Sequence, residues 1–273
     1  MKKQAEIIRK LHVHINTQPE REFRNRVDFL KKYLLTSAAN GYIIGISGGI
    51  DSTLTGIMAR VACDELTQET SKQYHFVAVR LPYGTQVDED DAQSALQFIK
   101  PHKNLLVNIK PAVDTSLEQL KRSTGYELSD FLKGNTKARE RMKVQYDIAG
   151  HLGLLVLGTD QAVEATTGFF TKYGDGGTDV VPLSGLTKGQ VRQILQYLGA
   201  PDFLYLKIPT ADLEDDHPQL PDETALGFSY DDLDHYLTLQ PVPDEIEKKI
   251  EEKYNETEHK RHLPVTPFDD WWQ

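Results

Sequence analysis

Residues 47 to 52 read Ser-Gly-Gly-Ile-Asp-Ser, after a short apolar run, Tyr42 to Ile46, and before a stretch of helical character from Thr53 to about Leu66. A glycine turn that leaves a strand and enters a helix presents backbone N–H groups to an anion, and ligands of open α/β sheets collect at the carboxyl ends of the strands. Gly48 and Gly49 let amides approach phosphate oxygens, and Ser47 and Ser52 add hydroxyl donors. Asp51 is the informative residue. A carboxylate in a phosphate loop repels its ligand unless a cation intervenes, so it points to Mg²⁺ bridging carboxylate and phosphates. The plainer alternative is an acid that only favours a helix N-terminus. The Walker A lysine is missing, which argues against a kinase or GTPase of the P-loop kind.

A second group follows the apolar run Leu154 to Leu157. Gly158-Thr159-Asp160 closes a strand, and Glu164 falls one helical turn after Asp160 on the same face, placed to complete a Mg²⁺ site opposite Asp51. The alternative is an acid pair at a helix start. Phe169, Phe170 and Tyr173 offer flat faces to an aromatic ring, Lys172 offers charge, and Gly174, Gly176 and Gly177 allow close backbone approach. A hydrophobic helix end, or a calcium-like loop using Asp175 and Asp179, would read similarly, but the EF-hand spacing is absent.

These groups need a scaffold. Phe23, Val27, Phe29, Leu30, Tyr33 and Leu34 recur at helical spacing between Pro19 and about Ala38. Strands are expected at Tyr42 to Ile46, Phe76 to Leu81, Leu105 to Ile109 and Leu154 to Leu157, with helices at Asp88 to Ile99, Pro111 to about Arg122 and Ser129 to His151. Four strands separated by helices predict a Rossmann-like α/β fold, a doubly wound parallel sheet with helices on both faces. Beyond Gly158, loops crowd residues 174 to 179 and 211 to 223, before helices at Tyr230 to about Leu239 and Pro243 to about Tyr254. Ile7, Ile8, Leu11 and Ile15 read as a surface helix at the N-terminus. No repeat or linker stands out, so residues 1–273 are expected to form a single domain.

The chain of 273 residues is 39% hydrophobic and 26% charged with a formal net charge of -10. That balance argues against a general nucleic-acid or membrane-surface binder, so anionic ligands must meet locally placed cations. One cysteine, Cys63, excludes an internal disulfide framework and a cysteine-based metal cluster, and fits a cytoplasmic setting.

SGGIDST matches the SGGxDS pyrophosphate loop of the N-type ATP pyrophosphatases, which have the adenine nucleotide alpha-hydrolase-like fold and activate substrates as adenylates. RLPYGTQ at 80–86, GNTKARERM at 134–142, GTDQAVEATTGFFTKYGDGGTD at 158–179 and PTADLEDD at 209–216 together resemble the ammonia-dependent NAD synthetases. The similarity runs to EHKR at 258–261 and FDDWW at the C-terminus.

The resemblance implies amidation of deamido-NAD to NAD with ammonia, through an adenylate, releasing AMP and pyrophosphate at the last step of NAD biosynthesis. It implies ATP contacts at Gly45, Ile46, Ser47, Gly48, Gly49, Ile50, Asp51, Ser52, Arg80, Thr159, Lys188 and Thr210. Deamido-NAD is implied at Arg139, Phe169, Lys172, Asp179, His259 and Lys260, Mg²⁺ at Asp51 and Glu164, and catalysis at Asp51, Glu164 and Lys188. It further implies a homodimer with the dinucleotide site at the subunit boundary. Several of these basic residues have a plainer alternative. Lys133, Lys137, Arg139, Arg141 and Lys143 form a cluster that on helices is usually a solvated face, Arg80 suits a salt bridge, and Lys188 suits surface charge at a helix start.

Two positions depart from the family's pattern: Ile50 stands where glutamine is frequent and Gln161 where histidine is common. Asp160 and Asp175 are both conceivable acceptors for the ammonia proton; Asp212, Glu214, Asp215 and Asp216 stay unassigned. Glutamine-using relatives need a cysteine nucleophile, whereas Cys63 reads as a core residue, so free ammonia is the expected donor. The rivals are another adenylating ligase or thiolase of the superfamily, and a non-catalytic nucleotide sensor that would have lost a metal ligand.

Overall fold

The computed structural model describes residues 2–85, 89–206 and 222–272. Helices α1 (Lys2–Lys10) and α2 (Pro19–Ser37) precede strand β1 (Gly41–Gly45). The chain then alternates through α3 (Ile50–Glu69), β2 (His75–Arg80), α4 (Glu89–Ile99), β3 (Lys103–Leu106), α5 (Lys110–Thr124), α6 (Asp130–Leu152) and β4 (Leu155–Val156). Short helices follow: α7 (Ala162–Thr167), α8 (Lys188–Tyr197), α9 (Asp202–Tyr205) and α10 (Asp222–Leu226). The last elements are α11 (Tyr230–Leu237), α12 (Asp244–Glu256) and a 3-10 turn, Glu258–Lys260.

Strand order is β3-β2-β1-β4, all parallel. The chain builds outward from β1 to β3 and then returns through α6 to lay β4 on β1's other side, so the winding reverses between β1 and β4. That reversal opens a crevice at the strands' carboxyl ends, and both loops singled out by their chemistry emerge there.

Pleating explains the double cover. Tyr42, Ile44, Phe76 and Ala78 point into one core with Leu34 of α2, Leu54 and Met58 of α3, and Ile194 of α8. Ile43, Val77 and Val79 alternate to the other face, against Val113 of α5 and Ala149 of α6. Cys63 is fully buried in the first core, where burial pushes its thiol up to about 12.

A third cluster lies off the sheet, joining Ile7 and Ile8 of α1, Val163 of α7, Leu233 and Tyr236 of α11, and Ile250 of α12. The N-terminal helix is therefore no mere surface element: Ile7 is wholly buried, and Gln4 Nε2 donates to the Tyr236 carbonyl at 2.8 Å.

Some boundaries differ from expectation. Helix α3 starts at Ile50, not Thr53, because Gly49 is its extended N-cap and Thr53 N donates to Gly49 O; Asp51 thus lies in the helix's first turn. Strand β3 is shifted toward the N-terminus because pairing with β2 runs from Val77↔Lys103 to Arg80↔Leu106. Among the described residues no helix is long and apolar enough to cross a membrane.

Candidate active site

The loop from β1 to α3 is held from both ends. Ile46 N donates to Val79 O at 2.9 Å, continuing the ladder past β1, and Gly45 N donates to Gln145 Oε1 of α6 at 2.7 Å. Ser47 Oγ accepts from Gly49 N at 3.2 Å and lies 3.3 Å from Ser52 Oγ. Gly48 has φ +88, and a Cβ there would stand 2.8 Å from Ala92 N of α4, so both conformation and space demand glycine. Gly48→Ala should cost about 1–3 kcal/mol of stability through this strain, and should raise the KM for ATP, as thermal melting and initial rates would reveal. A wild-type KM would mean that the loop is not the phosphate cradle.

Asp51 meets two residues that come from far along the chain. Lys188 Nζ donates to Asp51 Oδ2 at 2.7 Å, and Gln161 Nε2 donates to Oδ1 at 3.2 Å. Lys188 Nζ also stands 3.7 Å from Glu164 Oε1, so the ammonium sits between the two carboxylates, with its side chain only 3% exposed. The other Glu164 oxygen accepts from Gln161 N at 2.9 Å, across the first turn of α7. Burial pushes the Glu164 carboxyl well above the usual range, opposed by Lys188 and reinforced by Asp51 and Asp160. Burial, then Asp175 and Asp51, raise Asp160 to about 7, with Arg261 opposing. Asp160 Oδ1 and Gln161 Oε1 are buried without a hydrogen-bond partner. Two carboxylates share one lysine here, and a bound cation would favour the ionised form of the carboxyl that burial pushes up.

The remaining anticipated residues fall into three places. Arg80, largely buried at the end of β2, pairs with Glu89 in the first turn of α4, the salt bridge its strand-end position suggested. Thr159 follows β4 at the same edge, and Thr210 lies outside the described residues. Arg139, Phe169, Lys172, His259 and Lys260 converge around residues 168–172. Lys172 Nζ donates to His259 O at 2.8 Å, Lys260 Nζ to Gly168 O at 2.8 Å and Phe170 O at 2.6 Å, and Arg139 Nη2 reaches Lys172 O at 3.5 Å. Phe169 packs on the third core. Asp179 stands apart, its carboxylate accepting from Val156 N at 2.8 Å and Tyr146 OH at 3.0 Å. The basic cluster of α6 is not uniformly solvated: Lys137 is buried, its ammonium 4.4 Å from the centre of the Tyr83 ring. A cleft of about 1070 Å³ lies along this region, lined among others by Asp160, Phe170, His259, Lys260 and Trp271.

The model of the NAD synthase family matches residues 22–264. The chain belongs to the NAD synthase family. It is 59% identical over 271 residues to the NH(3)-dependent NAD(+) synthetase of Halalkalibacterium halodurans, covering 99% of this chain and 100% of that one. The solved NAD+ synthetase of Burkholderia pseudomallei superposes with a TM-score of 0.83 at 42% identity over 96% of each chain. The NMN synthetase of Francisella tularensis superposes with a TM-score of 0.80 at 30% identity, over 93% of this chain and 100% of that one.

Within this NAD synthase fold, sequence reasoning had passed over four contributors: Gln145, which holds Gly45; Gln161 in its contact to Asp51; and Tyr230 and Asp234 of α11, beside Lys188. Gln161 had been noticed only as a departure. Nothing local marks the others, because each acts on a residue distant in sequence.

Proposed function

We propose that the crevice joins ammonia to the nicotinate carboxylate of deamido-NAD, with ATP as the activating co-substrate and Mg²⁺ held by Asp51 and Glu164. The observation that carries this reading is the Asp51 carboxylate inside a phosphate loop, beside Glu164, with the Lys188 ammonium between them. Two carboxylates match a cation that takes one or two protein oxygens and completes its shell with phosphate and water. Two carboxylates leave most of a magnesium shell open to phosphate oxygens and water. When bound, the ion neutralises charge on the departing pyrophosphate.

A carboxylate resists amidation because its leaving group is poor. The nicotinate oxygen therefore attacks the α-phosphorus of ATP; the bond to pyrophosphate breaks and an acyl adenylate forms. Loop amides of residues 47 to 52 and the Lys188 ammonium face the charge that develops, so the chain contributes positioning and electrostatics. Ammonia then adds to the acyl carbon, AMP leaves, and a proton must go to an acceptor. Asp160 suits that role, since its carboxyl titrates at about 7 and one oxygen has no partner. Asp175 is the weaker candidate, because its Oδ1 already accepts from Thr171 N at 2.9 Å. Arg139, Phe169, Lys172, His259 and Lys260 are assigned to the dinucleotide, as is Asp179, which stands apart from them; Arg80 and Thr159 are assigned to ATP, and Thr210, also assigned to ATP by the resemblance, lies outside the described residues.

A single domain is part of the same reading, supported by the hydrogen bonds that tie the start of α8, a helix of the first core, to Asp234 of α11, a helix of the third. So is a homodimer, supported by Phe131 and Leu132, exposed near the start of the helix that carries Arg139. A cytoplasmic setting accords with the lone cysteine, a free buried thiol. That thiol is pushed up to about 12, which unfits it to attack glutamine. Purified protein with Mg²⁺, ATP and deamido-NAD should form NAD on adding ammonium and not on adding glutamine. A parallel reaction with nicotinate mononucleotide in place of deamido-NAD should score NMN formation, given the NMN synthetase neighbour. Absence of NAD would end this reading, and equal rates with glutamine would end the ammonia part.

A further inference from the structure

We infer that Asp234, on α11, is a positioning residue for Lys188, fixing the backbone from which that lysine reaches the phosphate crevice; the inference rests on the role proposed above for Lys188. The Asp234 carboxylate takes three hydrogen bonds from the start of α8. Lys188 N donates to Oδ1 at 3.1 Å, while Gly189 N at 2.5 Å and Thr187 Oγ1 at 3.1 Å donate to Oδ2. A carboxylate at a helix start satisfies amides that lack intrahelical partners, and the helix dipole favours it.

The fit is close enough to select the neighbouring residue. A Cβ on Gly189 would lie 2.5 Å from Asp234 Oδ2, so only glycine allows the carboxylate this near. The same helix places the Tyr230 ring 5.0 Å from Lys188 Nζ, so α11 touches both ends of the lysine, its backbone nitrogen and its ammonium. Two fixed points determine where a long side chain ends. A lysine has four rotatable bonds, and burial with an anchored backbone removes the freedom that would otherwise spread its charge over several positions.

The start of α8 does not depend on Asp234 alone. Thr187 Oγ1 accepts from Gln190 N, and Gln190 Oε1 accepts from Thr187 N at 3.0 Å, a reciprocal capping box. Asparagine keeps one of the two acceptor oxygens, so loss of the Asp234 charge leaves a capped helix whose first turn is held to α11 less firmly, and the consequence is misplacement of Lys188 without unfolding.

The test is a double-mutant cycle on the full chain, reading NAD formation with Mg²⁺, ATP, deamido-NAD and ammonium. Asp234→Asn should lower kcat on the order of 10- to 100-fold with KM values changed by less than about threefold. Combined with Lys188→Ala it should lower kcat no further than Lys188→Ala does alone. Gly189→Ala, which keeps both charges but forces the carboxylate away, should reproduce the kcat loss while the protein stays folded, its melting temperature falling by a few degrees. It also answers the question if Asp234→Asn fails to fold. Wild-type kcat in Gly189→Ala, or losses that multiply in the double variant, would overturn the inference while leaving NAD formation by the wild type untouched. Wild-type kcat in Lys188→Ala would overturn the inference together with the role of Lys188.

Discussion

Asp51→Ala lowers pyrophosphate release by about 10³-fold or more, the scale expected when a preorganised electrostatic contact to a developing charge is deleted. The substitution removes an oxygen ligand from the phosphate loop and a partner from two other groups, Lys188 Nζ at 2.7 Å and Gln161 Nε2 at 3.2 Å. Folding should survive. Asp51 is one of the charges that push Glu164 upward, so without it Glu164 ionises more readily and remains beside the lysine at 3.7 Å. The buried ammonium is not stranded, and the melting temperature should fall by only a few degrees, equivalent to about 1–2 kcal/mol. Asp51→Asn should lose as much activity, because shape is kept and charge is not. Pyrophosphate release within about threefold of wild type in either variant would remove Asp51 from the reaction.

The second large effect is a loss of pH dependence in Asp160→Asn. The folded protein holds the Asp160 carboxyl at about 7 against an ordinary value of 3.8, chiefly through burial and then through Asp175 and Asp51. Between those two values the unfolded chain has released a proton that the folded chain retains. Stability from this group is thus complete below 3.8 and is lost as pH rises through about 7. The shift sets a ceiling of roughly 4 kcal/mol, and water reaching the cleft reduces the effect to about 2 kcal/mol. Ligand-free wild type should therefore melt lower at pH 8 than at pH 5, and the asparagine variant should lose much of that difference. Parallel pH profiles for the two proteins would refute it. In turnover the same variant should still release pyrophosphate but form NAD about 100-fold more slowly, if Asp160 takes the ammonia proton. Unchanged NAD formation would transfer that role to another group.

Much of the scaffold was legible in the sequence because strands and long helices are written in local patterns. Tyr42, Ile44, Phe76 and Ala78 alternate with Ile43, Val77 and Val79, and that period already implies a sheet covered on both faces. The long helices α2 and α6 were readable from their spacing and boundaries. Helix α7 was implied only by the spacing of Asp160 and Glu164, and its six residues are too few to show a period; Asp160 in fact lies before the helix, whose N-cap is Gln161. The depth of Lys188 was not readable: the residue reads as a surface charge at a helix start yet is almost wholly enclosed. The N-terminal helix shows the same limit: its apolar stripe was visible, but the α7, α11 and α12 surfaces that bury it come from the other end of the chain.

The sequence by itself determined a glycine loop with an acid inside it, at the end of a strand in a parallel α/β sheet, because turn chemistry and side-chain periodicity act over a few residues. Only the tertiary structure decided what that acid meets: Gln161, 110 positions away, and Lys188, 137 positions away, with Asp234 of α11 behind the lysine. Their meeting depends on the winding reversal between β1 and β4 and on α11 packing against α8. Those contacts follow from how whole layers bury their apolar faces, and no short stretch of chain encodes such an outcome.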